Sequence, residues 1–385
     1  MPSSMSTNTK WQAFLWGRKP GRVLGLPRRV FFGLVIVSAA VAGLLAHDTD
    51  KPETMLWKYD RSIMAAALLP DGKTFITGGG RVPGECVFWD FPGGQRRLTL
   101  GDTGAVEQLA VSPDGKLLAT MGWRVAFDGN RPPMTEPRFG IWDTATGKEL
   151  MPLENPPGVP FGRDRDHICA LAFSPDSKLL AIAAGKTAEI YNLATGKKQA
   201  GLEGHSGRVW SLAFSADGKL LATGGEDATI KIWNLAGKLE KTTLKGDNLP
   251  VSAVAFSPDG KLLAAGAATG EYGKTGEVAL WDLTTEKIRQ NWKTGQGRVT
   301  GVAFSPDGSL LAFGARLDEN VRVWDIAGRK ERFSLPAPLN LSTLFFTGDG
   351  KYLVAAGGTG DYLISLGSVK FWDAATGKEA YASAK

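Results

Sequence analysis

The chain has 385 residues, of which 43% are hydrophobic and 49 are glycine, as in a folded protein with many tight turns and unlike a disordered one. Its formal charge of +6 arises in residues 1–47, which hold six Lys or Arg side chains and no acid, so the other 39 basic and 39 acidic side chains cancel. No basic stripe interleaved with aromatic residues follows, which excludes a nucleic-acid partner.

The pattern of charge and hydropathy at the N-terminus is typical of a targeting segment. Residues 1–29 are basic, and residues 30–46 form an uncharged apolar run. Positive charge before such a run predicts a cytoplasmic N-terminus, with the following chain across the membrane. As a helix, the run would span about 25 Å, at the short end for a transmembrane segment. We therefore predict a single-pass signal anchor over 30–46, followed by a polar linker over 47–53.

Alternatives to this anchor stay open. Ala40-Val41-Ala42 has the form of an export cleavage site, and cleavage near Ala42 would leave an exported, soluble protein. Arg28-Arg29 followed by Val30 and two phenylalanines looks like a twin-arginine export signal. A buried core helix is a third, weaker interpretation.

After the linker the chain is built from repeats, best seen between Gly204 and Asn234. Alternating apolar residues predict three short strands, Val209 to Phe214, Leu220 to Thr223 and Thr229 to Trp233. Ala216-Asp217-Gly218 between the first two is a hairpin signal, because Asp bonds its own backbone and Gly tolerates the positive φ of a tight turn.

Both marks of this unit recur seven times. The turn appears as LPDG, SPDG, SPDS, SADG, SPDG, SPDG and TGDG at 69–72, 112–115, 174–177, 215–218, 257–260, 305–308 and 347–350. A Trp-Asp pair or a variant of it follows each turn, at 89–90, 142–143, 191–192, 233–234, 281–282, 324–325 and 372–373. A period near 40–45 residues with this ending is typical of a propeller blade.

In these turns and Trp-Asp pairs, residues 54–384 resemble the WD40-repeat family. The resemblance implies an all-β, seven-bladed β-propeller, here preceded by an N-terminal hydrophobic helix, with four strands a to d per blade from the central channel outward. The crisp turns and the export segment are typical of a bacterial protein, and we expect a monomeric propeller. In this family the first strand of the chain completes the last blade. We expect Thr54–Tyr59 to do so in preference to Glu379–Ala384, which could fill the same slot.

Loop lengths differ between the two ends of the blades. The a–b and c–d turns are uniformly tight, whereas every expansion falls on the b–c and d–a end: a long loop over 122–139, and connections over 152–166, 267–276 and 358–367. A rigid ring with one elaborated face is a platform for binding on that face. Neutral variation of surface loops is the alternative.

WD40 proteins commonly bind partners through residues at the start of strand a, around the channel mouth. The positions that match, together with large side chains on the long loops, are our partner-binding candidates: Arg208, Trp210, Arg298, Glu107, His167, Trp123, Arg124, Phe161 and Tyr362. Trp and Arg dominate interface energies, although Trp210 could equally pack within its own blade. Glu107, His167, Arg208 and Arg298 could instead bind an anionic small molecule, as in a ligand-binding or enzymatic propeller.

The resemblance also implies a structural hydrogen-bond tetrad in the fourth blade, made of His205, Thr223, Asp227 and Trp233. Cys86 and Cys169 fall in non-adjacent blades, too far apart for a disulfide. The sequence shows no metal-ligand cluster and no phosphate-binding loop, so we expect no metal and no cofactor. These features together predict a non-catalytic scaffold for protein partners, tethered to a membrane or exported.

Overall fold

The repeats fold into seven sheets, one for each blade. The computed structural model describes residues 53–55, 62–79, 84–126, 134–151, 170–246, 248–268, 276–295, 297–358 and 367–383. Within these ranges, 29 strands form six four-stranded sheets and one five-stranded sheet. Inner strands of consecutive blades contact one another, and the last blade contacts the first. The predicted seven-bladed, all-β propeller is confirmed.

Each blade runs from an inner to an outer strand in chain order. Blades 1 to 3 contain β2 (Ile63–Leu68), β3 (Thr74–Gly79), β4 (Glu85–Asp90) and β5 (Arg96–Leu100); β6 (Ala105–Val111), β7 (Leu117–Ala126), β8 (Met134–Asp143) and β9 (Glu149–Met151); β10 (Leu171–Phe173), β11 (Leu179–Ala184), β12 (Thr187–Asn192) and β13 (Lys197–Leu202). Blade 4 contains β14 (Val209–Phe214), β15 (Leu220–Gly225), β16 (Thr229–Asn234) and β17 (Leu239–Lys245). Blades 5 to 7 contain β18 (Val251–Phe256), β19 (Leu262–Ala268), β20 (Gly276–Asp282) and β21 (Lys287–Lys293); β22 (Val299–Phe304), β23 (Leu310–Ala315), β24 (Asn320–Asp325) and β25 (Lys330–Pro336); β26 (Thr343–Phe346), β27 (Tyr352–Gly358), β28 (Gly367–Asp373) and β29 (Glu379–Ser383).

The a–b turns form as the sequence predicts. In blade 4 the Ser215 hydroxyl donates to Asp217 at 2.6 Å, and the Asp217 carboxylate accepts the Lys219 amide at 3.0 Å. Gly218 has a φ of 69°, in the left-handed region that glycine adopts without strain. In blade 3 this position is Ser177, with a φ of 59°.

The hydrophobic core lies between the blades. Seven clusters of buried apolar side chains occur in the described chain, and each joins two neighbouring blades. Trp233, for example, is 3% exposed and packs with Leu202 of blade 3. No blade buries its faces alone, as the repeat pattern predicts.

Our expectation for ring closure was wrong. The C-terminal β29 forms the outer strand of blade 7, antiparallel to β28, and β1 (Glu53–Met55) lies outside it as a fifth, parallel strand. A short turn joins β28 to β29, so this pairing closes a small loop, whereas pairing with residue 54 closes almost the whole chain. Side chains complete the seam: the Ser342 hydroxyl donates to the Ile63 carbonyl at 3.0 Å.

The prediction of a long loop in blade 2 was also wrong, because most of residues 122–139 belong to strands β7 and β8. β7 and β8 pair from Leu117 with Asp143 to Ala126 with Met134, as a hairpin arm longer than in the other blades. Val125 and Ala126 are consecutive apolar residues, so no alternation of apolar with polar residues indicated the strand.

The predicted apolar segment 30–46 lies outside the described residues. Over the part of the chain that is described, no helix combines the length and apolar character needed to cross a membrane.

Candidate interaction site at the channel mouth

A β-bulge recurs near the start of the inner strand in blades 1, 2, 4, 5 and 6. In blade 4, Val209 and Ser211 are buried, whereas Trp210 between them is half-buried. A bulge places one residue outside the ladder and re-aims its side chain. The bulges lie at the d–a end of the strands. The residues at these positions are Met64, Glu107, Trp210, Ser252 and Thr300.

Trp210 and Arg298 meet at this end of the propeller. The Arg298 guanidinium carbon lies 6.0 Å from the centroid of the Trp210 ring, at the outer limit of a cation–π contact. Blades 4 and 6 are not neighbours, so the two side chains contact each other past blade 5, across the mouth of the channel. The structure therefore brings together two of the residues predicted from sequence.

The indole N–H of Trp210 is buried and has no hydrogen-bond partner among the described residues. The hydroxyl of Thr300, two residues from Arg298, is also buried and has no hydrogen-bond partner among the described residues. Buried polar groups are normally paired, and an unpaired donor costs about 1–3 kcal/mol. Both atoms are closed to solvent in this structure, so an acceptor oxygen from outside could reach them only after the side chains at the mouth move.

Glu107 and Trp123 form a second pair at the mouth. Burial raises the pKa of Glu107, and a hydrogen bond from the Trp123 indole opposes this rise. Trp123 pairs with Ala105 at the start of the blade 2 arm. A carboxyl group that burial inclines towards its neutral form can donate as well as accept a hydrogen bond.

The other two described candidates are held more loosely. Arg124 lies 3.4 Å from Asp102 in an ion pair whose side chains are 43% and 70% exposed, so the pair contributes little stability. Arg208 is half-buried, and its backbone amide donates to the Glu226 carboxylate at 3.2 Å. His167, Phe161 and Tyr362 lie outside the described residues.

The four tetrad residues of blade 4 are joined in one hydrogen-bond chain. The Trp233 indole donates to the Thr223 hydroxyl at 2.9 Å, the hydroxyl lies 2.7 Å from Nε2 of His205, and Nδ1 of His205 lies 3.0 Å from Asp227. Burial lowers the pKa of His205 despite the opposing effect of Asp227, so the imidazole is neutral at pH 7. Thr223 then donates to Nε2, and Nδ1–H donates to Asp227.

This chain of side chains is closed to a substrate. Burial alone would raise the pKa of Asp227, but hydrogen bonds from Thr229 and His205 outweigh it and hold the pKa at about 2. The His205 side chain has no exposed surface. A fully satisfied buried network fixes strand register, and these groups have neither the access nor the pKa expected of a general base.

Sequence reasoning missed that other blades keep only part of this network. In blades 1 and 2, Thr77 and Thr120 accept the Trp89 and Trp142 indoles, each at 2.8 Å. In blades 5 and 7 the equivalent strand-b residues are Ala265 and Ala355. There the buried Trp281 and Trp372 indoles have no partner within the described chain. Aligning strand b with each Trp-Asp pair would have revealed the difference.

A small cavity of about 40 Å³ occupies the equivalent place in blade 5. Ala265, Ala279 and Trp281 line it, with residues from blade 4. Elsewhere in the described residues, no group of three His, Cys, Asp or Glu side chains is arranged to hold a metal ion.

Comparison with known proteins agrees with this architecture. The profile of a family described as the IFT122 first beta-propeller matches residues 167–379, which is 213 of the 385 residues. The guanine nucleotide-binding protein subunit beta of Schizosaccharomyces pombe is 33% identical over 90 residues, covering 23% of this chain and 27% of that protein. The small ribosomal subunit protein RACK1 of Caenorhabditis elegans is 33% identical over 142 residues, covering 34% and 37%.

A third relative is the target of rapamycin complex subunit wat1 of Schizosaccharomyces pombe. It is 41% identical over 63 residues, covering 16% of this chain and 20% of that protein. The aligned part of the chain thus spans no more than 37% of the length of any of these three relatives.

Proposed function

We propose, on the premise that this chain belongs to the WD40-repeat β-propeller family, that it is a non-catalytic scaffold for protein partners. The three relatives support this because each is named as part of a larger assembly: a guanine nucleotide-binding protein, a ribosomal subunit and a target of rapamycin complex. We place the partner on the face formed by the b–c and d–a loops. The described chain has no catalytic constellation to set against this proposal, since its His-Thr-Asp set is buried and internally satisfied.

The observation that carries the proposal is the Trp210–Arg298 pair at the channel mouth. Both residues are half-buried, they contact each other across the channel, and the Trp210 indole N–H has no partner within the described structure. A large ring beside a guanidinium, with an unsatisfied donor, is the type of group that dominates binding energy when a partner excludes water. We expect the partner to supply a carboxylate or carbonyl oxygen to the half-buried Arg298 guanidinium.

The test is crosslinked capture of partners from the native host, followed by affinity measurement with the partner recovered. The Trp210→Ala, Arg298→Ala double variant removes the pair. The matched control is Arg332→Ala, Phe333→Ala, which removes a cation–π pair of 5.3 Å from outer strand β25. We expect the first variant to weaken binding at least about 30-fold, the effect of a 2 kcal/mol hot spot, and the control to bind like the wild type.

Equal binding by both folded variants would show that the partner uses another surface. Capture of no protein by the wild type would favour the alternative function, a ligand-binding or enzymatic propeller with a small-molecule site at the same mouth. Screening small carboxylates by equilibrium dialysis would then follow, because Arg208, Arg298 and the unsatisfied donors suit an anion.

We further propose that residues 30–46 anchor the chain in a membrane, with the N-terminus cytoplasmic and the propeller on the other side. The charge asymmetry of the sequence supports this orientation. Resistance of the native protein to alkaline extraction, with an intact N-terminus, is the expected result. An N-terminus beginning just after Ala42 would instead establish cleavage and export.

A further inference from the structure

A cleft lies at the opposite end of the propeller, on the seam between blades 7 and 1. Its volume is about 560 Å³, within the range of small-molecule sites. Residues of the two a–b turns line it, with Phe91 from the c–d turn of blade 1 and Tyr352 and Tyr381 from blade 7. The Trp210–Arg298 pair plays no part in it, so its function is independent of the partner site proposed above.

Three aromatic rings form one corner of this seam cleft. The planes of Phe91, Tyr352 and Tyr381 are inclined to one another by 73°, 73° and 66°, and their centroids are 5.5 to 6.4 Å apart. Rings at these distances and angles pack edge to face against one another. A ring face that remains open to the cleft attracts a cation within roughly 6 Å of its centroid. The Lys351 ammonium already lies 4.9 Å from the Tyr352 centroid. The ring face of Tyr352 therefore already accepts positive charge.

The propeller architecture does not require these rings. At the position of Tyr352, the first residue of strand b, the other six blades carry leucine or threonine. At the position of Phe91, directly after the Trp-Asp pair, the others carry Thr, Leu, Ile or Ala. At these two positions only the seam between blades 7 and 1 has aromatic residues, since the cluster of Trp292, Phe313 and Trp324 between blades 5 and 6 is built from other positions.

An unusual carboxylate lies beside the corner. In the other six a–b turns, a Ser or Thr hydroxyl donates to the turn aspartate at 2.5 to 2.6 Å. Blade 1 has Leu69 at that place, so Asp71 accepts the Lys73 amide at 2.8 Å but lacks the hydroxyl donor. Asp71 is exposed and lines the cleft. Its carboxylate therefore has acceptor capacity that the other six aspartates use within their turns.

We propose that the seam cleft binds a small molecule carrying a quaternary ammonium group, such as a choline-type cation. Phe91, Tyr352 and Tyr381 hold the cation by their ring faces, and Asp71 supplies the counter-charge. Methylated ammonium groups suit such a corner because they are weakly hydrated and apolar in outline. The guest would displace the Lys351 ammonium from Tyr352.

The test is calorimetric titration of the purified full-length chain with choline and with its neutral isostere 3,3-dimethylbutan-1-ol. We expect choline to bind about tenfold more tightly than the alcohol, since only the cation gains from the rings and from Asp71. Tyr381→Leu should abolish the preference. Asp71→Asn keeps an acceptor for the Lys73 amide but loses the charge, and should weaken choline binding about threefold to tenfold. Asp114→Asn, the same change in blade 2, should leave it unaltered.

Equal affinity for choline and the alcohol, or no saturable binding of either, would overturn the proposal. Unaltered choline binding by a folded Tyr381→Leu variant would overturn it as well. Because the trimethylammonium group also occurs on lipids, a second arm titrates the same proteins with glycerophosphocholine, the water-soluble form of the lipid headgroup. Binding at least as tight as that of choline, and weakened in Asp71→Asn but not in Asp114→Asn, would assign the group to a lipid headgroup, whereas weaker binding than that of choline would assign it to a soluble compound.

Discussion

Replacing Ala265 with threonine should stabilise the propeller, because it would return a missing acceptor to the Trp281 indole. Trp281 is 4% exposed, and its N–H has no partner among the described residues. Thr77 and Thr120 occupy the equivalent positions in blades 1 and 2 and accept their indoles at 2.8 Å. Relieving an unpaired buried donor is worth about 1–3 kcal/mol.

The cavity and the new hydroxyl also change the stability of the variant. Filling the adjoining cavity of about 40 Å³ should contribute about 1 kcal/mol, at roughly 24 cal/mol per Å³. Against this, blade 5 has no histidine to accept the threonine O–H, so burying that hydroxyl costs about 1 kcal/mol. We therefore expect Ala265→Thr to raise the free energy of unfolding by about 1–3 kcal/mol.

The assay is denaturant unfolding of the full-length chain, with Ala265→Val as the matched control. Valine has the shape of threonine and fills the cavity, but it gives the indole no acceptor. We expect the threonine variant to be more stable than the valine variant by about 1 kcal/mol. If valine is as stable as threonine or more so, the indole already has a partner such as an ordered water, and the reasoning is refuted.

Three other predictions concern charge and packing. Asp227→Asn should lower the melting temperature at pH 7. The folded state depresses the pKa of Asp227 from 3.8 to about 2, so the ionised carboxylate stabilises the fold fully above about pH 4. The difference in melting temperature from the wild type should therefore shrink as the pH falls from about 4 to about 2. Glu107→Gln should stabilise the protein at pH 7. Burial raises the pKa of Glu107 in the folded state, so its ionised carboxylate disfavours folding once the pH exceeds 4.5, the pKa in the unfolded chain. The urea midpoints of variant and wild type should therefore converge in acid. Gly266→Ala should lower the free energy of unfolding by about 1–3 kcal/mol, and with it the urea midpoint, because the added methyl would lie 2.3 Å from a Val299 side-chain carbon. Gly93→Ala meets no atom within 4 Å and should change the midpoint little. An unaltered midpoint for Gly266→Ala would mean that blades 5 and 6 separate easily to admit it.

The sequence by itself was enough for the architecture of the repeats. Strand β14 begins and ends where the alternation of Val209 to Phe214 predicts, and the Asp217-Gly218 turn has the predicted geometry. These features depend on neighbours in the chain: a carboxylate bonding an amide two residues away, and apolar side chains alternating across one strand. Seven copies of one local signal then implied a ring, since a single unit cannot bury both of its faces.

Only the tertiary structure decided how the ring closes and which side chains meet at the channel mouth and in the seam cleft. Residues 53–55 and 379–383 both suit a strand, and only the packed seam shows that the second pairs with β28 while the first lies outside it. Trp210 meets Arg298, and Phe91 meets Tyr352, across 88 and 261 positions of sequence. Such contacts depend on where each bulge and turn aims a side chain within the assembled ring, and no local pattern encodes the relative position of two blades.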